Sequence, residues 1–228
     1  MSRVFYLTAV YQRWDSTFGP FFSSFLRLAE QAGNETDRLV ILDWDGSGKD
    51  IYSTGGSVQY VNAQQAGHIN RAQARNLALH AAQPHVDDLV FFVDCDMVLP
   101  TDFSRRVRQN VRPDQAYFPI CYSLYRGASC VIKGNGPSHH PGPHKSGANG
   151  WWREAGHGNC GFVYQTFRDV LGGWDGERFG TRYGREDDDI YWRAKERLTV
   201  FRERVPGFFH QWHPRVKEGQ NPSMKESS

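Results

Sequence analysis

The sequence lacks the features that mark membrane-spanning and nucleic-acid-binding proteins. Its 228 residues contain no run near the roughly 18 apolar residues that a membrane helix needs. The N-terminal segment turns polar too early for a signal peptide, which predicts a cytoplasmic location. The 27 Lys and Arg nearly balance the 25 Asp and Glu, so the chain as a whole presents no basic field to nucleic acid.

Cysteine is scarce as well. The four cysteines include no CxxC pair, which argues against a zinc knuckle. A chain of this length buries a sizeable core without a disulfide framework. We therefore expect reduced thiols at Cys95, Cys121, Cys130 and Cys160.

Aromatic residues, by contrast, are plentiful. Phe, Trp and Tyr make up 14% of the chain, which fits either a site that stacks sugars or bases or ordinary core packing. The hydrophobic share of 39% and the charged share of 23% are those of a globular protein. We expect one domain over residues 1–228, with a polar tail at 215–228.

The first half of the sequence alternates strand and helix patterns. Apolar, β-rich runs predict strands at Val4–Val10, Leu39–Asp43, Val58–Val61 and Leu89–Val93. Helical spacing predicts one helix capped at Asp15–Ser16, with Pro20 in its first turn, and another that runs from an Asn70 cap through Gln83. This order predicts a mostly parallel sheet flanked by helices, in which ligands bind beyond the carboxyl ends of the strands. The acids that follow such ends are Asp43, Asp45, Asp94 and Asp96.

The second half is less regular. Residues 126–150 are rich in Gly, Pro, Ser and His, and they predict a long loop that could act as a lid. Its histidines, His139, His140 and His144, fit a solvated loop or a metal site. Further patterns predict helices at Gln165–Val170 and Glu186–Arg197 and a strand at Thr199–Arg202.

The Asp94-Cys95-Asp96 segment is the first candidate site. Two carboxylates that leave a buried strand together can bind a divalent cation shared with phosphate oxygens. The alternative is a solvated turn.

The acidic run Glu186-Asp187-Asp188-Asp189 is the second candidate. Acids in the first turn of a helix suit the helix dipole. If the turn faces a cleft, one of them can also act as a general base.

Two aromatic segments complete the candidates. His210 and His213 are either structural or nitrogen ligands for the same cation. Trp151 and Trp152 precede a glycine-rich run that ends near Gly161. Glycines let the backbone approach a ligand closely, and the tryptophans could stack a sugar, although a turn beside core aromatics explains the pattern equally well.

These segments occur in an order that resembles a known family. The chain resembles the glycosyltransferases grouped with chondroitin synthases and β-1,4-galactosyltransferases. Five segments carry the resemblance, in this order: FFVDCDMVLP, WWREAGHGNCGFVY, GGWD, YGREDDDIYWR and FFHQWHP. The resemblance covers roughly residues 60–214. It implies an α/β fold of the GT-A, Rossmann-like type: a single domain with a mostly parallel central sheet flanked by helices. It also implies a UDP-sugar donor, a Mn²⁺ (or Mg²⁺) cofactor, a saccharide or other hydroxyl acceptor, and inversion at the anomeric carbon.

The resemblance also implies roles for individual residues. It makes Asp187 the catalytic base, and Asp96, His213 and His210 the metal ligands. The residues expected at the donor are Asp94, Arg71, Arg75 and Gly161, with Asp43 and Asp45 added from their position alone. Those expected at the acceptor are Glu186, Asp188, Trp151, Trp152 and Tyr183. Residues 1–100 would form the nucleotide-binding half and 101–214 the acceptor-binding and catalytic half.

Two positions depart from the family pattern. Tyr183 replaces a usual Trp in the loop before the acids, and Arg185 replaces a Gly or Leu. Animal relatives carry a Golgi membrane anchor and a stem that this sequence does not show, which predicts a bacterial or viral enzyme.

Other functions remain open from the residues. The cluster Arg105, Arg106, Arg108 and Arg112 could meet phosphates if the acceptor were a hydroxylated base in viral DNA, or it could be an exposed helix face. A sugar-binding module without turnover would need no general base. A metal-dependent phosphohydrolase would need two metal-bridging clusters, which the acids do not form.

Overall fold

A computed structural model describes residues 2–12, 17–31, 33–48, 56–128, 149–180 and 185–213. Six helices and eleven strands lie in these ranges. No helix in the described ranges combines the length and the apolar character needed to cross a bilayer. The cytoplasmic location stays a prediction.

Helices and strands are interspersed along the first half of the chain. The helices are α1 Phe18–Ala29, α2 Arg71–Ala82, α3 Phe103–Asn110, α4 Tyr164–Asp169, α5 Gly176–Phe179 and α6 Glu186–Arg197. The first six strands are β1 Val4–Val10, β2 Arg38–Asp43, β3 Val58–Asn62, β4 Leu89–Phe92, β5 Met97–Val98 and β6 Gln115–Tyr117. The others are β7 Ile120–Leu124, β8 Gly150–Trp152, β9 Cys160–Val163, β10 Thr199–Phe201 and β11 Arg204–His210.

Seven strands form the main sheet in the order β10-β6-β9-β4-β1-β2-β3. All neighbouring pairs are parallel except the two that involve β9, which runs antiparallel to β4 and β6. The prediction of a mostly parallel sheet is therefore confirmed. Successive residues of β1 bury on opposite faces, Tyr6 in one core cluster and Phe5 in the other, because side chains alternate along a strand.

A second sheet was not predicted. It has the order β5-β11-β7-β8 and carries His210 at the end of β11. The backbone N–H of Gln211 donates to the Asp96 carbonyl at 2.9 Å, which fixes the end of this sheet to the segment that follows β4. The two sheets thereby bring residues 96 and 210 together.

The predicted helices agree well with the structure. Helix α2 begins after Asn70, whose side chain accepts from the Gln73 N–H at 3.0 Å, and it is capped at Gln83. Helix α6 has the predicted bounds. The Asp15–Ser16 cap and the interior of the predicted 126–150 loop, with its three histidines, lie outside the described residues. Gly150, the predicted end of that loop, begins β8 instead.

The cysteines and the arginine cluster also have clear positions. Cys95, Cys121 and Cys160 are buried, whereas Cys130 lies outside the described residues. The cluster on α3 does not form an unpaired basic surface: Arg105 and Arg106 bind Asp102, Arg108 binds the buried Asp37, and Arg112 donates to backbone carbonyls. The cluster thus gives no support to a nucleic-acid acceptor.

Candidate active site

Carboxylates from two distant parts of the chain meet beyond the carboxyl end of β4. Asp94 leaves the main sheet there, and Asp187 lies in the first turn of α6. The segment 156–159 passes between them. The backbone N–H of Asp94 donates to the Asn159 side chain at 3.0 Å, which anchors this segment to the strand end.

The buried side chain of Arg75 joins the two acids. One of its terminal nitrogens pairs with Asp187, and the other lies 3.0 Å from Asp94 Oδ1 and 3.2 Å from the Gly158 carbonyl. The guanidinium carbon lies over the Trp174 ring, 4.4 Å from its centre. The side chain is 6% exposed. The guanidinium of Arg75 holds the two carboxylates, and the expected contact of Arg75 with the sugar donor stays a prediction.

The acids of the first turn differ in their electrostatics. Burial alone would raise the pKa of Asp187, but the Arg75 and Arg71 cations outweigh it and hold this pKa below its ordinary value. Burial and the adjacent Asp187 raise the pKa of Glu186. Asp187 therefore stays ionised at neutral pH, and its side chain is 23% exposed. Arg71, at the start of α2, reaches both acids electrostatically.

Gly158 leaves the space that lets Asp94 and Asp187 approach each other. A Cβ at this position would lie 2.8 Å from Asp187 Oδ2 and 3.1 Å from Asp94 Oδ2. Gly161, the glycine that we expected at the donor, lies in β9 instead. A Cβ there would meet the Phe91 and Val111 side chains at 2.9 and 3.0 Å, so Gly161 belongs to the buried core and the geometry does not support donor contact.

Asp96, His210 and His213 form a group that fits a divalent cation. One ligand atom from each lies within 4.8 Å of the others. Asp96 Oδ2 is 3.0 Å from His213 Nε2 and 3.6 Å from His210 Nε2. Ser123 Oγ lies 3.3 Å from His210 Nδ1, so Nε2 is the nitrogen turned toward the carboxylate. Burial lowers the pKa of His210 and favours its neutral, metal-binding form.

The acids at the end of β2 serve the backbone of the following turn. Asp43 is fully buried; its oxygens accept from the Gly46 and Gly48 N–H groups and from the Tyr60 hydroxyl. Asp45 accepts from the Ser47 N–H and hydroxyl. The expected contact of Asp43 with uracil or ribose is not supported, because its carboxylate is occupied inside the protein. For Asp45 that contact stays a prediction.

The expected acceptor residues lie in two places. Asp188 is on α6, with its Oδ1 2.9 Å from His157 Nδ1, and Glu186 beside it is buried. Trp151 lies on β8, opposite Ser123, and is 43% exposed. Trp152 packs edge-on against Tyr122 on the other face of the sheet, so only Trp151 shares the face of Ser123 and His210. Tyr183 lies outside the described residues.

Substitution of the two glycines separates the site from the core. We expect Gly158→Ala to lower any turnover at this site by up to about 100-fold, because that is the cost of a shift of about 1 Å in positioned groups, and to change stability little. Gly161→Ala is the matched control: it should destabilise the fold by about 1–3 kcal/mol through overpacking without changing the turnover of the folded protein. Turnover and denaturant unfolding of both variants test this, and equal turnover in the two would contradict it.

The fold and these strand-end acids define a class. The chain has the GT-A fold of nucleotide-sugar glycosyltransferases. It superimposes on Staphylococcus aureus TarS 1–349 in complex with UDP-GlcNAc with a TM-score of 0.62 at 13% identity, over 95% of this chain and 60% of that one. It also matches GalNAc-T7 with UDP, GalNAc and Mn²⁺ with a TM-score of 0.57 at 12% identity, over 93% and 44% of the two chains.

Sequence comparison identifies the family. The profile described as chondroitin N-acetylgalactosaminyltransferase matches residues 47–227. The chain belongs to this family. It is 32% identical over 152 residues to chondroitin sulfate N-acetylgalactosaminyltransferase 2 of Mus musculus, a match of 64% of this chain and 27% of that protein. It is 33% identical over 141 residues to chondroitin sulfate synthase 3 of Homo sapiens, covering 60% and 15%. The chain thus spans about a quarter or less of these relatives.

Several residues at this site were not predicted from the sequence. The structure places Gly158, Asn159, His157 and Ser123 against the expected acids or ligands, although no sequence pattern singles them out as site residues. The first three belong to the glycine-rich run after Trp152, where close backbone approach was expected. The signal therefore marked the correct segment but not the correct glycine.

Proposed function

We propose that this chain is a metal-dependent, inverting glycosyltransferase that moves a sugar from a UDP-sugar to a saccharide hydroxyl. The observation that carries the proposal is that Asp187 and Asp94 approach each other at Gly158. Asp94 in turn lies two residues before Asp96, which groups with His210 and His213. A strand-end acid pair beside a carboxylate–imidazole group suits a diphosphate donor, and an ionised acid at the same cleft suits proton removal.

The proposed reaction uses Asp187 as the base. The acceptor hydroxyl gives its proton to the Asp187 carboxylate while its oxygen bonds to the anomeric carbon of the donor sugar. The bond from that carbon to UDP breaks, and UDP leaves with the electron pair. Attack from the face opposite to UDP inverts the anomeric centre. Arg75 holds Asp187 and Asp94 in place, so the base needs no reorganisation when the acceptor arrives.

Asp96, His210 and His213 would hold the cation. Two imidazoles beside one carboxylate favour a first-row transition ion over Mg²⁺, which prefers oxygen ligands. We propose Mn²⁺, because it is the ion in the GalNAc-T7 structure. A bound cation would neutralise the charge that develops on the leaving diphosphate.

The names of the relatives suggest the first substrates to test. Because the relatives are chondroitin N-acetylgalactosaminyltransferases, we propose UDP-GalNAc as donor and a chondroitin hexasaccharide as acceptor. Donor-dependent release of UDP that rises on addition of the hexasaccharide would support transfer. Binding without UDP release would favour the sugar-binding module instead.

A thermal-shift assay tests the donor class. UDP with Mn²⁺ at about one hundred times its dissociation constant should stabilise the protein by about 2.7 kcal/mol. GDP or CMP with Mn²⁺ should stabilise it much less, and EDTA should remove most of the UDP effect. A larger shift with GDP than with UDP would reject the uridine nucleotide.

A further inference from the structure

His157 occupies a polar position beside α6 that the proposed reaction does not use. Its ring stacks on Tyr191 with centroids 3.8 Å apart and an interplanar angle of 13°. Its Nδ1 lies 2.9 Å from Asp188 Oδ1, and its Nε2 lies 3.4 Å from an Arg202 terminal nitrogen. One imidazole thus contacts two residues of the same helix face, because positions 188 and 191 are three apart.

The surroundings of His157 dictate its tautomer. An arginine guanidinium can only donate, so the His157 Nε2 that faces Arg202 must offer its lone pair. The ring proton then sits on Nδ1 and is donated to Asp188. Arg202 is itself fixed, since its other terminal nitrogen donates to the Gly156 carbonyl at 3.0 Å. Burial and the Arg202 cation lower the pKa of His157 despite Asp188, so the ring stays neutral at physiological pH.

We propose that His157 is a positioning residue that orients the Asp188 carboxylate for acceptor binding. The Asp188 side chain is 56% exposed, and without a partner it would sample several rotamers. A hydrogen bond from the stacked His157 ring, whose side chain is only 11% exposed, selects one of them. His157 also precedes Gly158, so the segment that separates Asp94 from Asp187 sets the orientation of Asp188 too. The expected effect on acceptor binding rests on the proposed function, whereas the hydrogen bond between His157 and Asp188 does not depend on it.

Two substitutions separate the hydrogen bond from packing. His157→Phe keeps an aromatic ring on Tyr191 and removes the donor. His157→Asn removes the ring but places a side-chain N–H near the original Nδ1. With UDP-GalNAc and the chondroitin hexasaccharide, His157→Phe should raise the acceptor KM about five- to tenfold, as expected for one lost hydrogen bond, and change kcat less. His157→Asn should restore most of the affinity. An unchanged KM in His157→Phe, or the same increase in both variants, would overturn the positioning role.

Nitrogen-15 NMR of the histidine rings provides a readout that needs no turnover. The wild-type protein should show His157 neutral with its proton on Nδ1, and Asp188→Asn should lower its pKa further, because a carboxylate that favours the charged ring is lost. A proton on Nε2 would overturn the inference even if the enzyme is active. If the wild type transfers no sugar, the proposed function fails, and the tautomer alone decides whether His157 holds Asp188.

Discussion

Replacing Asp187 by Asn should slow sugar transfer at least about 100-fold, the lower limit of what positioned general bases contribute. The amide keeps the shape of the side chain and can still accept from Arg75, but it cannot take up the acceptor proton. UDP affinity should change little, because the proposed cation ligands lie elsewhere. Since the pKa of Asp187 is held below its ordinary value, mild acidification should not remove this base. Single-turnover kinetics with saturating substrates measures the effect.

The neighbouring acids serve as matched controls, because each has different partners. Asp188→Asn should act mainly on the acceptor KM. Asp189→Asn should act mainly on stability, since Asp189 lies 3.0 Å from an Arg178 nitrogen and 2.7 Å from Arg193 Nε. If the Asn variants at 187, 188 and 189 lose only similar, small amounts of stability, the acids of the first turn of α6 merely complement the helix dipole. Near wild-type transfer by Asp187→Asn would remove it from the mechanism, together with the argument for inversion.

Replacing Asp96 by Asn should weaken Mn²⁺ binding by more than about 100-fold, which is the upper end of the cost of losing only an outer-shell partner. The amide retains the volume but not the charge, and it leaves the two imidazoles as the remaining ligands. Isothermal titration calorimetry of Mn²⁺, alone and with UDP, measures the loss of Mn²⁺ affinity independently of turnover.

A charge-matched control for this substitution is available on the surface. Asp169 is exposed and pairs with the adjacent Arg168, so Asp169→Asn makes the same change of charge away from the site. It should leave Mn²⁺ affinity unchanged. Unaltered Mn²⁺ affinity in a folded Asp96→Asn variant would reject the proposed ligand group.

The main sheet was predictable and the second sheet was not, for physical reasons. Strands β1, β2 and β4 are mostly apolar runs, and α1 and α2 lie between them in the chain, with clear signals such as the Asn70 cap. Strand β5 has only two residues, and β8 only three, so neither offers a period. Strand β11 contains Pro206 and Gly207, which usually argue against a strand interior. Its irregular register with β7 accommodates them.

Prediction of the site had a similar limit. The order of motifs pointed to Asp96, His210 and His213, which the structure brings together. It could not show that Arg75, a helix residue more than a hundred positions before Asp187, would be buried beneath the acids, because that depends on where the fold places the first turn of α6. Nor could the composition of the glycine-rich run indicate which glycine faces the acids. The burial of Arg75 and the position of Gly158 both depend on contacts between segments that are far apart in the sequence.

The shared guanidinium beneath Asp94 and Asp187 has a consequence for redesign of substrate preference. Lysine could not replace Arg75, because a single ammonium cannot reproduce the planar fork that serves both acids and stacks on Trp174. Substitutions at residues 75, 94, 158 and 187 should therefore be strongly epistatic, and libraries that vary them one at a time would contain mostly inactive clones. Diversity is better introduced at Trp151 and around Asp188, where the side chains are more exposed and this shared support is left intact.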